Sequence, residues 1–376
     1  MSTPRNAEYT KIYNQKLFLR LLHREPLSRA DMARKIGLTR ASASLIADEL
    51  LKEGWIVENK LMPVSKSGRP PVALSIAKDS CYAVGVFLNR DGCSAGIVSF
   101  NGEVICKARF KLSEEKDKLK SLCQSLEKLI SASGVKREKI MGVGISAPGP
   151  LDVEKGRILN PPRFTLWHNT DIANAVSDAL KMPVYTENDA SSIARFNIGK
   201  EQAHGSENFL MLLVDSGVGS GIVLGGKLFS AKGSFTGELG HTTIKFDGKK
   251  CECGNCGCLE AYAAIPNLLS GTRFSSWEDI INERHISEDA QKLFDEEAEY
   301  LSAGIINLAN LMGIDTVLLA GDLRNDGEEI ASLIEKKVNG KILHHPIHVY
   351  PASLDVNIKP LASAEIVFDR YLSVFQ

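Results

Sequence analysis

The sequence predicts an α/β body that uses one strand-and-helix scheme twice, preceded by a small basic head of short helices closed by two strands. Three observations predict it. Beyond about residue 78, three strand-like runs, a helix and a further strand occur in the same order twice. The first 75 residues hold 13 Lys and Arg against 7 Asp and Glu, although the whole chain of 376 residues carries a net charge of only −1. Four cysteines (251, 253, 256 and 258) fall within eight residues, the first of them ten residues after His241. The length allows two or three domains. No apolar stretch is long enough to span a bilayer and the N-terminus is polar, so the expectation is a soluble cytoplasmic protein with no membrane partner.

The head is read from its caps. Residues 15–23 place apolar side chains at helical spacing and stop before Pro26. Ser28, three residues before Asp31, is suited to cap a short helix over 30–36 that Gly37 ends. Thr39 is suited to cap the next helix, from Arg40 to about residue 53, which Gly54 ends. Two short helices joined by Gly-Leu-Thr make a helix-turn-helix pattern. Leu45, Ile46 and Leu50 are expected to face inward. Thr39, Arg40, Ser42 and Ser44 sit at the helix start, and these are residue types that meet phosphates and base edges in a major groove. Residues 55–57 and 72–76 read as the strands of a β-wing whose tip carries Gly68-Arg69-Pro70. Between Gly and Pro, Arg69 can lie along a narrow A·T-rich minor groove. A plain three-helix bundle is the alternative for the helices alone, and the wing counts against it.

In the body, residues 82–88, 93–100 and 103–110 are strand-like, and Asp91-Gly92 and Asn101-Gly102 are two-residue hairpin turns between them. A charged amphipathic helix over 114–132 follows, then a strand over 141–146 that runs into Ala147-Pro-Gly-Pro150. The order restarts near Asn208: strands over 209–215, 221–224 and 227–230, the last two joined by Gly225-Gly226, then helices and a strand over 317–320. A scheme used twice in this way resembles the two-lobed sugar-kinase and actin-like fold, with ribonuclease H-like lobes and a ligand cleft between them.

Thiolates and a neutral imidazole are the ligands a tetrahedral zinc prefers. A disulfide reading is poor, because Cys-x-Cys neighbours are badly placed to bridge and no secretory signal precedes them. Five candidate ligands compete for four positions. Cys81, Cys93, Cys106 and Cys123 lie in apolar segments and read as small buried hydrophobes. The stretch Gly237-Glu238-Leu239-Gly240-His241, followed by Cys251-Glu-Cys253-Gly-Asn-Cys256-Gly-Cys258-Leu-Glu260, resembles the signature of the ROK family (repressor, open reading frame, kinase). The resemblance implies one structural zinc per chain on His241, Cys251, Cys253 and Cys258, with Cys256 as the extra thiol. It extends to the wing, because Gly68-Arg69-Pro70-Pro71-Val72-Ala73-Leu74 matches the Gly-Arg-Pro-x-x-x-Leu of the family's repressor branch. It implies a head over 1–77, a first lobe over 78–190 that the last helix (360–376) rejoins, and a second lobe over 191–359 holding the zinc.

The family also assigns roles in the cleft. Glu187-Asn188-Asp189 ends a strand and opens a helix, which puts a carboxylate at a strand's C-terminal edge. In ROK kinases the matching Asp is the general base and the matching Asn binds sugar; here these are Asp189 and Asn188, which could equally be a plain helix cap. Glu238, His241 and Glu260 match the remaining sugar-binding positions. Ionised carboxylates accept from several sugar hydroxyls, and a metal-bound histidine holds them in register. Asn160 and Arg163 lie near a family loop that contacts sugar, whereas Trp167 reads as packing. Asp215 to Gly221 looks like a phosphate loop, and Leu319-Ala-Gly321-Asp322 falls in the position of the nucleotide-base loop.

The kinase motif itself is broken. Kinases of the family begin their first lobe with Gly-x-Asp-x-Gly-Gly-Thr, where the acid serves the metal–nucleotide and the glycines admit phosphates. Here the stretch is Gly85-Val86-Phe87-Leu88-Asn89-Arg90-Asp91. The expected function is therefore a sugar-responsive transcriptional repressor of carbohydrate uptake or catabolism genes, without enzyme activity. Its partners are operator DNA and a monosaccharide effector, and it acts as a homodimer or homotetramer because helix-turn-helix readers meet paired half-sites. An ATP-dependent sugar kinase that also carries a DNA head is the alternative. A thiol or zinc sensor switched by Cys256 is a third reading.

Overall fold

The computed structural model describes residues 7–60, 72–89, 92–111, 117–200, 203–230, 236–343, 345–352 and 357–373. In the head, helix Ala7–Arg24 is followed by Arg29–Ile36 and Arg40–Lys52. Ser28 accepts from the Asp31 N–H at 3.1 Å, and Thr39 from the Ser42 N–H at 3.1 Å. Gly37, at φ 75°, ends the first capped helix in the left-handed conformation that favours glycine. Strands Ile56–Lys60 and Val72–Ile76 pair antiparallel, and Leu27–Ser28 adds to the other edge of the second. The expected wing tip with Arg69 lies outside the described residues.

One head expectation is corrected. Leu45 does not face inward: it is 68% exposed, and the buried face is Ala43, Ile46, Ala47 and Leu50. At about 100° per residue, positions 43, 46, 47 and 50 share one stripe, and 45 falls opposite.

Each lobe is built on a five-stranded sheet of the same order. In the first lobe the sequence across the sheet is Val184–Asn188, Ile140–Ala147, Tyr82–Asn89, Gly92–Ser99, Val104–Phe110. In the second it is His348–Pro351, Thr316–Gly321, Phe209–Val214, Val218–Leu224, Lys227–Leu228. Only the second strand of each meander runs against its neighbours. Gly225 and Gly226, at φ 57° and 67°, both take the left-handed conformation that a two-residue turn between such strands requires.

Helices Lys118–Ala132 and Ile172–Leu180 cover the outer face of the first sheet, with Leu122, Leu126 and Val176 in its core. The amphipathic helix expected over 114–132 is thus core on one face. Glu288–Met312 and Gly327–Asn339 cover the outer face of the second sheet. Between the sheets lie two helices. Ile358–Leu372, the last of the chain, packs on the first sheet, and Asp189–Asn197 packs on the second. The residue 190/191 boundary drawn from the sequence therefore cuts a helix that leaves one lobe's strand and rests on the other lobe's sheet. Their shared core joins Phe87, Ile193, Met211, Leu213, Leu318 and Ile358.

Among the described residues the head has no core separate from the body. Phe18, Leu19, Leu22, Leu50 and Leu74 join one cluster with Phe100, Phe368 and Leu372 of the body. The end of the first helix is tied by polar contacts. His23 places Nε2 2.9 Å from Glu365 and Nδ1 2.7 Å from the Phe100 carbonyl, Arg20 donates to the Leu372 carbonyl at 2.9 Å, and Trp55 stacks on Tyr371. Burial pulls the His23 imidazole down, but Glu365 and the Phe100 carbonyl outweigh it and hold it above its ordinary value. Glu365 is held below its own ordinary value, because His23, Lys200 and Arg195 together outweigh its burial. Four residues from Glu365 on the same helix, Asp369 accepts from Arg195 at 2.6 Å, and Arg195 also donates to Glu187 at 2.7 Å. Arg24 lies against Gly199, just beyond the end of the Asp189–Asn197 helix. The head thus touches the last helix, which rests on the first lobe, and the segment leading into the second.

Candidate functional site

The cleft cavity lies where the Asp189–Asn197 helix begins, and its lining includes Asn188, Asp189, Asp215, Glu238, His241 and Glu260. Each side chain is placed by a local feature of the chain. Asn188 is the N-cap its position suggested: Oδ1 accepts from the Ser191 N–H at 3.0 Å, which leaves Nδ2 for the cavity. Asp189 accepts from its neighbour Ala190 at 2.8 Å. Glu260 is held by the Val218 N–H at 2.9 Å, directly after the Asp215-Ser216-Gly217 turn that joins two strands of the second sheet. Gly149 forms the floor, because a Cβ there would lie 3.0 Å from the Glu238 carboxylate and 3.2 Å from the Asn188 amide.

Four carboxylates share this cavity, and among the described residues no Lys or Arg lines it. Burial, then the neighbouring Asp215 and Glu238, push Asp189 up to about 7, against the opposing Ala190 N–H and Lys359. Burial also raises Glu238, partly relieved by His241 and reinforced by Glu260. Such a cavity suits a ligand rich in hydroxyl donors and disfavours an anion.

Next to it, His241, Cys251, Cys253 and Cys258 bring their ligand atoms within 4.8 Å of one another, and this cluster could hold a metal ion. The Cys253 and Cys258 sulfurs are 3.7 Å apart, and the Cys251 sulfur is 3.7 Å from His241 Nδ1. Four ligands around zinc at about 2.3 Å require ligand separations of roughly 3.8 Å, so the donor set fits. Nδ1 faces the thiols, and Nε2 is the nitrogen left for the cavity. Cys256 is exposed and stands outside the cluster. Of the other thiols, Cys81 and Cys93 are buried, and burial pushes both up to about 12; Cys106 and Cys123 are half-buried.

Arg163 reaches across the cleft. It donates through Nε to Glu252 at 2.6 Å and through Nη2 to Asn267 at 2.8 Å. Glu252 sits between two of the clustered cysteines, so this pair ties a first-lobe loop to the second lobe across the cleft. No sequence signal marks it, because the partners are 89 residues apart. Asp215, read from the sequence as the start of a phosphate loop, is a fourth carboxylate beside Asp189. Trp167 is 3% exposed and packs on Phe164, as expected.

At the cavity's end stands Phe87, which the family resemblance matches to the acid of the kinases. It is 1% exposed, packed against Ala190 and Leu213, with the Lys359 ammonium 5.1 Å from its ring. Asn89 also lines the cavity, while Arg90 and Asp91 lie outside the described residues. In the head, Arg40 is exposed at the start of its helix, Ser44 is half-buried, and the Thr39 and Ser42 hydroxyls bond each other at 2.9 Å while capping it.

Comparison with known proteins agrees with this geometry. The ROK family profile matches residues 84–361. A xylose repressor from Caldicellulosiruptor bescii is 32% identical over 89% of this chain and 89% of its own length. The crystal structure of a ROK family transcriptional regulator, a homolog of the Escherichia coli MLC protein, superposes with a TM-score of 0.79 at 22% identity over 97% of each chain. A ROK hexokinase from Thermus thermophilus superposes at 0.64 and 25% identity, covering 98% of that enzyme but only 77% of this chain.

A carboxylate raised from 3.8 to about 7 binds its proton more tightly folded than unfolded, so its cost to the fold appears as pH rises from about 4 to 7. Asp189→Asn removes that cost. In chemical denaturation of the sugar-free protein, the variant should gain on the parent across this window, by at most about 4 kcal/mol, and level off above pH 7. A pH-independent difference would contradict the assignment.

Proposed function

The chain belongs to the ROK family, and on that premise we propose that it is a sugar-responsive DNA-binding transcriptional regulator, a repressor of carbohydrate genes. The observation that carries this reading is the seat of the head. Its first helix ends against both the last helix and the segment after Asp189–Asn197, so a change of cleft angle alters the surface on which the head rests. Asn188 and Asp189 stand at the cleft end of that same helix, and Arg195 at the far end meets Asp369 one turn from Glu365, the partner of His23. A sugar that draws Glu238 and Glu260 toward Asn188 and Asp189 favours one lobe arrangement, and its differential affinity sets the size of the response.

The head reads DNA as part of a homodimer or homotetramer in the cytoplasm, with Thr39, Arg40, Ser42, Ser44 and Arg69 at the interface. The absence of phosphoryl transfer follows from Phe87: a buried aromatic side chain offers no ligand to a metal–nucleotide. Asp189 then serves as a sugar-hydroxyl partner. Among the described residues no helix is long and apolar enough to cross a membrane.

His241, Cys251, Cys253 and Cys258 hold one structural zinc. When bound, it fixes the His241 tautomer and anchors the loop that carries Glu252. Metal analysis of purified protein should find one zinc per chain, lost in His241→Ala and Cys258→Ser and kept in Cys256→Ser. Loss in Cys256→Ser with retention in Cys258→Ser would overturn the ligand set.

The effector is a neutral monosaccharide, and D-xylose is the first to test because the relative at 32% identity is a xylose repressor. Calorimetry against a sugar panel should find a ligand whose binding Glu238→Ala abolishes, with operator binding of the sugar-free variant intact. A sugar bound equally by Glu238→Ala places the pocket elsewhere. A coupled assay should detect no sugar-dependent ADP release; turnover lost in Asp189→Asn would support the bifunctional kinase instead.

A further inference from the structure

The helix Arg40–Lys52 exposes one face: Arg40, Ala41, Leu45 and Asp48, with Ser44 half-buried beside them. Its far end is already engaged. Asp48 pairs with Arg29 at 2.8 Å, and Arg29 also holds Glu58 at 2.9 Å. Among the described residues the side chains of its first two turns form no such ion pair, although Arg29 also donates to the Ser44 carbonyl at 3.4 Å. There Ala41 and Leu45 stand four residues apart, one above the other, flanked by Arg40 and Ser44. Leu45 is 68% exposed and outside the head's buried cluster, so the fold gains little from its being apolar. An apolar partner outside the chain would bury it. On the floor of a major groove the apolar group is the C5-methyl of thymine, and apolar side chains are its readers.

Resting on the reading that this head binds DNA, we propose that Leu45, supported by Ala41, is the residue that selects thymine in each operator half-site, by burying the thymine methyl. Arg40 supplies the charge beside it, and the Arg29–Asp48 pair keeps the acidic side chain of this face from the phosphates. The same apolar spot could instead be covered by the head of a second copy, and the test separates the two.

The probe is a duplex enriched by the full-length protein from a random-sequence pool, in which each thymine is replaced in turn by deoxyuridine, which lacks only the methyl. One position per half-site should bind the parent roughly fourfold more weakly, the worth of one buried methyl at about 0.8 kcal/mol. Leu45→Ala should bind the thymine and deoxyuridine duplexes equally. Arg40→Ala should bind both more weakly yet keep the thymine preference. Leu45 is exposed, so its replacement leaves the fold intact, which circular dichroism checks. A preference that survives Leu45→Ala, or one absent from the parent, overturns the proposal while leaving DNA binding in place. Loss of self-association in Leu45→Ala without any thymine effect assigns the residue to a contact between copies and also overturns it. If no duplex is enriched at all, the DNA-binding reading fails with it.

Discussion

The architecture depends on a backbone-to-backbone contact between the last helix and the first sheet. A Cβ at Gly85 would lie 1.9 Å from the Pro360 carbonyl oxygen, and one at Gly144 1.9 Å from that of Ser363. No side chain fits at either place, so the helix lies on the strands without freedom to slide. Three fully buried serines lock the same junction: Ser146 on the sheet bonds Ser192 and Ser363, each at 2.8 Å, on the two helices between the lobes. Left without its partners, a buried hydroxyl there costs about 1–3 kcal/mol. A change of cleft angle would have to act through this junction, where the Asp189–Asn197 helix meets the last helix.

Both ends of that meeting place matter. At one end Asn188 and Asp189 face the cleft with Glu238 and Glu260, a set of mutually repelling carboxylates that a polyol would relieve by donating hydrogen bonds. At the other end Arg195 spans Glu187 and Asp369, and the head is bound one turn away through His23 and Glu365. The Arg163–Glu252 pair joins the loop of the candidate metal cluster to the opposite lobe, so this cluster, the cleft and the head seat share one mechanical frame. The pair is itself partly exposed and of small energetic weight; its role is geometric.

Much of this was legible in the chain. The helix caps at Ser28 and Thr39, the Gly225-Gly226 turn and the doubled strand order follow from local chemistry and period. The cysteine spacing marks a metal cluster, and the signature around it names the carboxylates that meet in the cleft. What stayed hidden is long-range. Nothing in the sequence pairs His23 with Glu365 or Arg163 with Glu252, since each partner is an ordinary charged residue in its own segment. Leu45 was misread because one apolar residue beside a helical stripe looks like part of it, and only packing shows that 43, 46, 47 and 50 fill the interior. A boundary at 190/191 falls inside the Asp189–Asn197 helix, because a strand-to-helix turn carries no sign of which sheet the helix will rest on.

The central claim is that the effector cleft and the DNA head share one joint. Hydrogen exchange on the full-length protein, with and without saturating sugar from the calorimetric panel, tests it most directly. Exchange should change in peptides covering residues 184–200 and, with them, in those covering 15–24 and 361–372. Protection confined to the cleft peptides, with the head and last helix unaltered at full occupancy, would contradict the account.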